Sequence, residues 1–295
     1  MKRKCLAVGI ILLFIWTAII PSTAQDTNKP SLPTLNSFFG LRSRINVSWD
    51  TNQTNEPLSP DGIPRTITLN VTYSGFKGTF GQLILLYYLL TKQYINISLE
   101  LGDIPGWCTA YLSNSHLLFP ITGTPSTQST SLVIAVNEFA PALRPFEVEI
   151  KASVDDVRGP LGFLTLIDRF EMSEQIIFRA GYRPCIVVTP ESAYLETSPG
   201  TTVIDPITVE NLGNGLTTIR VDFIDVPQNW VVSIIPPQMV LMVNESRIMN
   251  LSITPPIDFY GNETINVSFT PKLYPYQPGY EGPPTYVTIT VNVRS

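Results

Sequence analysis

Eight asparagines stand two residues before a serine or threonine, with no proline between: Asn46, Asn52, Asn70, Asn96, Asn244, Asn250, Asn262 and Asn266. In an exported chain each is an acceptor for N-linked glycan. Two cysteines lie beyond residue 24, Cys108 and Cys185. An oxidising compartment permits one disulfide between them. Two buried thiols in apolar strands are the other reading. The segment Tyr274-Pro275-Tyr276-Gln277-Pro278-Gly279-Tyr280 is the best candidate contact loop. Proline keeps it stiff, and Tyr274, Tyr276 and Tyr280 offer amphipathic surface. Its plainer reading is a long hairpin between the last two strands.

The residues that usually carry catalysis are sparse. His116 is the single histidine. Zinc sites and Ser–His or Cys–His nucleophiles need more than that. There is no glycine-rich phosphate loop and no GxSxG element. Asp155-Asp156 could touch calcium, but hard-cation sites gather several oxygen ligands at set spacing. Solvation explains two adjacent acids in a turn. The 24 acids leave room for a carboxylate pair at roughly 5–9.5 Å, as glycoside cleavage needs, but sequence does not place one. The expectation is a protein that is not an enzyme and takes no cofactor or metal.

The chain opens with Lys2-Arg3-Lys4, an apolar run from Cys5 to Ile20, and Pro21-Ser22-Thr23-Ala24. That is the order of parts in a secretory signal peptide, cut after Ala24. The run is shorter than the ~20 residues that span a bilayer. Residues 1–24 carry those three bases and no acid, so the remainder has 16 Lys+Arg against 24 Asp+Glu, or −8. The charges are scattered. An acidic chain without a basic patch argues against nucleic acid and anionic membrane surfaces.

Period-two alternation dominates the chain beyond residue 40. Ile45-Asn46-Val47-Ser48-Trp49, Thr66 to Tyr73, Ile95 to Leu101, Phe146 to Lys151, Ile219 to Phe223, Ile265 to Phe269 and Val287 to Val293 each alternate apolar and polar residues. Such strands have one core face and one wet face, as in antiparallel sheets. The 26 prolines and 18 glycines punctuate the chain, and Asn211-Leu212-Gly213-Asn214-Gly215 reads as a turn. The longest later apolar stretch, Leu83 to Leu90, reads as a buried strand, with a short surface helix as the alternative.

An internal repeat sets the domain count. Ile97-Ser98-Leu99-Glu100-Leu101-Gly102-Asp103-Ile104-Pro105-Gly106-Trp107 resembles Ile219 to Trp230: an alternating strand, then Asp, an aliphatic residue, Pro and Trp. The strands after it recur in both copies. Trp107 and Trp230 then read as core residues pinning two sheets rather than sugar-stacking platforms. The fold predicted is all-β: a cleaved signal peptide (1–24), an N-terminal linker (25–40) and two tandem immunoglobulin-like antiparallel β-sandwiches (41–183 and 184–295), each of about seven strands.

The strand–Asp–aliphatic–Pro–x–Trp unit and Glu210-Asn211-Leu212-Gly213-Asn214-Gly215 carry a family resemblance. The second copy is similar to the Ig-like domain appended to secreted α-galactosidases and found in tandem in archaeal surface proteins. The resemblance covers residues 185–293 well and 41–183 more loosely. It carries no catalytic residues, and it implies an extracellular or cell-surface location. Proteins of this group often continue into a membrane helix after the last strand, so membrane contact is expected only through an anchor beyond Ser295. The functions in keeping with this are a structural or adhesive surface protein, a carbohydrate-binding or accessory module for a secreted glycoside hydrolase, or a hydrolase with an unrecognised site. The partners are other surface proteins or glycans.

Overall fold

A computed structural model describes residues 41–77, 81–122, 124–158 and 165–295. The signal-peptide and linker readings lie outside these residues. The alternating segments all form strands. In the first copy they are β1 (Leu41–Trp49), β2 (Arg65–Lys77), β3 (Tyr94–Leu101), β4 (Cys108–Leu112), β5 (His116–Pro120), β6 (Ser126–Val136), β7 (Pro145–Val154), β8 (Val157–Arg158), β9 (Thr165–Ile167) and β10 (Phe170–Arg179). In the second they are β11 (Ile186–Pro190), β12 (Tyr194–Thr197), β13 (Val203–Asn211), β14 (Thr217–Asp225), β15 (Val231–Ile235), β16 (Gln238–Leu241), β17 (Ser246–Thr254), β18 (Gly261–Leu273) and β19 (Thr285–Val293). Among the described residues two helices interrupt them, α1 (Asn52–Asn55) and α2 (Gly81–Thr91).

The repeat read from sequence is a repeat of topology. One sheet of the first copy runs β4-β6-β2-β1, extended by β9-β8, and its counterpart runs β15-β17-β13-β11. The facing sheet runs β10-β7-β3-β5, and its counterpart β19-β18-β14-β16, with β12 added at the edge. Eight strands are shared, one more than expected. The chain visits the edge beside β6 before the edge beside β3, so its two edge strands are reached in the reverse of the usual variable-type immunoglobulin order.

Alternation decides which side chains are buried. β1 buries Leu41, Ser43, Ile45 and Val47 and exposes the residues between. The second core gathers Ile207, Val209, Ile219, Leu251, Ile265, Phe269 and Ile289 around Trp230. Trp230 is buried and meets Phe259 edge-on at 5.2 Å. Trp107 is half-buried at the margin of a first-copy cluster, edge-on to Phe146 at 4.8 Å. Both tryptophans therefore pack rather than present a free ring.

One reading is corrected. Leu83 to Leu90 lie in helix α2, not in a strand. The segment holds leucine, which is not branched at Cβ, more than β-branched residues, and leucine ranks near the top of helix propensity. It also lacks alternation, so a strand there would need cover on both faces. As a helix it sends Leu85 and Tyr88, three residues apart, into the core beside Tyr73 and Phe119.

Candidate functional site

The candidate contact loop forms one wall of an open groove. The β18–β19 hairpin carries Tyr274 and Tyr276 over the outer face of the sheet. Lys272, Thr218 and Val240 share one row across β18, β14 and β16, and Arg220 and Gln238 share the next. Together with Met239 and Pro275 these residues line about 490 Å³. The hairpin is held from below. The N–H of Leu273 donates to the Tyr280 carbonyl at 3.0 Å, and the N–H of Tyr274 to the Leu216 carbonyl at 2.9 Å. Tyr274 and Tyr276 are exposed, while Tyr280 is half-buried in the turn and does not line the groove.

The groove's charges are tied to one another. Lys272 Nζ lies 3.1 Å from Glu281 Oε1 and 5.3 Å from the Tyr276 ring centre. The Tyr276 hydroxyl donates to Glu281, and with Lys272 it holds that carboxyl below the usual range; the same bond raises the Tyr276 hydroxyl. Arg220 pairs with Asp222 at 3.1 Å. A carboxylate held ionised by two donors is a poor proton shuttle at neutral pH. Two phenol faces beside planar guanidinium and amide groups suit the stacking and hydrogen bonding of a ring-shaped polar ligand.

Other predicted residues lie apart. His116 is exposed on β5, with Nδ1 3.4 Å from Asn96 Nδ2 and 3.3 Å from Ser98 Oγ. Asp155 and Asp156 are exposed after β7, and Asp156 pairs with Arg158 at 3.0 Å. Among the described residues no group of three or more His, Cys, Asp or Glu side chains could hold a metal ion. A polar hollow on the outer face of β3, β7 and β10 mixes Glu100, Glu149, Asp155 and Glu171 with Lys151 and Arg169, and Lys151–Glu149 and Arg169–Glu171 are ion pairs.

The bridge that two thiols permitted is not formed. Cys108 and Cys185 are both free. Cys108 points into the first core, against the cluster of Leu132, Ile134 and Phe178. Cys185 sits between the copies, half-buried. Burial alone pushes the Cys108 thiol up to about 11, so it holds little reactive thiolate. In native protein a maleimide is expected to label Cys185 and spare Cys108 until the first sandwich unfolds, as peptide mass spectrometry would read. Equal labelling of both would contradict the buried placement.

The feature least visible in the sequence is the role of the Asn211–Gly215 turn, which is the joint between the two copies. Asn214 is buried. Its Nδ2 donates to the carbonyls of Ala140 at 2.9 Å and Gly181 at 2.8 Å, and its Oδ1 accepts the Arg183 N–H at 2.7 Å. Its backbone carbonyl accepts the Ala142 N–H at 3.0 Å. Tyr182 bonds to Thr217 at 2.9 Å, and Arg183 pairs with Glu138 at 3.2 Å. The glycines give room. A Cβ on Gly215 would lie 2.8 Å from Ala142 Cβ, and one on Gly282 would lie 2.5 Å from Pro184 Cβ. Beside the joint opens a cleft of about 580 Å³ lined by Phe139, Pro141, Arg183, Cys185 and Val243. Two asparagines flanking a glycine look like any turn; only the arrival of Ala140 and Gly181 from the other copy makes them a clamp.

Asp205 is another buried polar group of the second copy. Its Oδ1 accepts the Ser192 N–H at 3.0 Å, and its Oδ2 has no hydrogen-bond partner among the described residues. Burial raises its pKa, opposed by the Ser192 N–H, and Glu191 adds to the rise. The folded chain thus holds this proton more tightly than the unfolded chain. The contribution to stability is full below the unfolded pKa and is lost as pH rises through the raised folded value. Denaturant midpoints between about pH 3 and pH 7 are expected to show this loss in the natural chain and a flatter profile in Asp205→Asn. An unchanged slope in the variant would discard the assignment.

No protein-family model matches the chain, and no curated protein matches it. Among solved structures, the D00-D0 domain of intimin shares 8% identity, covering 84% of this chain and 97% of that one, at a TM-score of 0.30. Domains 4 and 5 of the S-layer protein SbsC share 12%, covering 87% and 100%, at 0.27. A PapD-like domain of human CEP192 shares 12%, covering 37% and 84%, also at 0.27. Scores this low add no weight, and the immunoglobulin-like description rests on the strand order of the two sheet pairs.

Proposed function

We propose that this chain is a non-catalytic extracellular or cell-surface protein, structural or adhesive, in which two immunoglobulin-like modules act as one stiff unit. The observation that carries this is the joint. A buried amide, Asn214, spends its side-chain donors and acceptor on the first copy and the connector. Flexible linkers do not invest buried hydrogen bonds, whereas a spacer or adhesive arm gains reach from a fixed angle. The apolar run and cut site at residues 5–24 and the resemblance of residues 185–293 to Ig-like domains of secreted proteins support export. Antibody labelling of intact cells of the native host, or of their medium, tests the location. Signal found only after lysis would sink it.

The groove beside Tyr274 and Tyr276 favours a second reading, a carbohydrate-binding or accessory module. Affinity electrophoresis in gels containing soluble polysaccharides is expected to retard the chain, and Tyr274→Ala with Tyr276→Ala to abolish the retardation. Equal mobility with and without polysaccharide would leave the spacer role alone.

A sugar coat fits both readings. Seven of the eight sequon asparagines are exposed. Asn266 is half-buried; its Nδ2, the atom that would carry glycan, donates to Asp225 at 3.0 Å, and its Oδ1 accepts from Thr288 at 2.6 Å. In glycosylated material from the native host, site mapping is expected to find Asn266 unmodified while neighbours such as Asn250 and Asn262 are occupied. Full occupancy at Asn266 would contradict its engagement in the sheet.

A further inference from the structure

Helix α2 is apolar from Leu83 to Leu90, and among its described side chains only Leu85 and Tyr88 are covered. Leu83 to Leu90 contain no polar group beyond the hydroxyls of Tyr87 and Tyr88. Leu85 and Tyr88 enter the core, while Leu86, Leu89 and Leu90 are 52%, 49% and 76% exposed, and Tyr87 is 38% exposed. Tyr94 at the start of β3 and Leu118, its diagonal neighbour on β5, continue the exposed apolar surface. A helix apolar all round belongs in a core or in lipid, and aromatic rings with a polar tip gather where lipid meets water.

The sequence around the helix is poor in acid. No acid occurs between Asp61 and Glu100, between Asp103 and Glu138, or in β1. The charged residues of these stretches are Arg42, Arg44, Arg65, Lys77 and Lys92. The chain as a whole is acidic, but α2 and the strand that follows it bring no acid before Glu100, and the exposed Lys92 directly follows the helix. The acids near the start of β1, namely Asp155, Asp156, Asp168 and Glu171, lie along β7 to β10, where Arg158 and Arg169 pair with Asp156 and Glu171.

β1 begins at Leu41, paired with Lys77 four residues before α2. Immediately upstream the sequence holds Leu35, Phe38 and Phe39.

We infer that α2 seats the first sandwich on a lipid bilayer. Leu86, Leu89 and Leu90 insert below the headgroups, Tyr87 and Tyr94 sit at headgroup level, and Lys92 meets anionic lipid. The sequence resemblance places membrane contact only at an anchor beyond Ser295; α2 provides one within the fold. This inference does not depend on the spacer or carbohydrate readings.

The test uses the full chain and vesicles of phosphatidylcholine with roughly 30% phosphatidylglycerol. The chain is expected to sediment with them. The double variant Leu86→Asp with Leu90→Asp, at exposed positions, is expected to lose at least about tenfold in bound fraction with its thermal transition unchanged. Ile257→Asp, at an apolar position of the second copy that is 82% exposed, is expected to bind as the natural chain does. A tryptophan placed by Leu90→Trp is expected to shift its emission to the blue on vesicle addition. Failure of the natural chain to sediment overturns the inference. So does undiminished binding by the double variant, which would assign the contact to another part of the chain. A dimer in solution that Leu90→Asp dissociates, without vesicle binding, overturns it in favour of a second copy.

Discussion

Asn211→Ala is expected to destabilise the second sandwich by about 3–5 kcal/mol. The side chain is fully buried and is the most connected in the joint. Its Nδ2 donates to the carbonyls of Gly215 at 2.9 Å and of Leu241 and Met242 at 3.1 Å each. Its Oδ1 accepts the Gly213 N–H at 3.0 Å and the Thr217 hydroxyl at 3.4 Å. Alanine removes the bonds and leaves buried backbone groups without partners, and the unmet desolvation makes the loss exceed that of a single surface bond. Three carbonyls converge on Nδ2, so Asn211→Asp, with the same shape, puts an oxygen where only a donor is tolerated and is expected to cost at least as much. Chemical denaturation followed by Trp230 fluorescence would report this as a lower midpoint at unchanged slope. A shift worth under ~1 kcal/mol would show that the network does not hold the turn.

Asn214→Ala is expected to cost about 2–4 kcal/mol, and the loss should appear as lost coupling between the two copies. The three side-chain bonds of Asn214 all leave its own sandwich, for Ala140, Gly181 and Arg183. The bond from the Ala142 N–H to the Asn214 carbonyl survives the substitution, so the modules remain adjacent while the clamp loosens. Calorimetry is expected to show one cooperative transition in the natural chain and two separated ones in the variant. Small-angle scattering should show a broader distribution of module distances. Unchanged scattering together with a single transition would remove the stiff-joint argument, and with it the main support for the spacer role.

Asn211 is the last residue of β13 and Asn214 lies in the loop just beyond it, inside a stretch that sequence reads only as a turn. The reason is physical. A turn is announced by local conformational preference, and Asn and Gly show it in any context. A clamp is defined by who arrives from far away. The acceptors of Asn214 are 74 and 33 residues distant in the chain, and no local pattern encodes that meeting. The same holds for Cys108 and Cys185. Their number and compartment are visible in sequence, but whether they meet depends on where two separate sheets place them, and Cys108 faces the core instead.

The strands are a different case. Side-chain direction alternates along any extended chain, so Ile45 and Val47 shared one buried face before any partner strand was known, and only the structure extended that face to Leu41 and Ser43. Repetition of the Asp–aliphatic–Pro unit and the Trp that follows it after one or two intervening residues fixed the equivalence of β3 with β14 and of β4 with β15, because duplicated packing keeps duplicated residues. Sequence therefore determined the all-β architecture, its repetition, the one-sided strands and the chemistry that was available. Tertiary structure decided what lacks a period: the edge-strand order, the helical state of the uniformly apolar Leu83–Leu90, the groove that joins Arg220 and Gln238 to Tyr274 and Tyr276, and the amide that locks the copies together. Periodic properties are set residue by residue against solvent, whereas sites are set by loop ends whose meeting only the finished fold enforces.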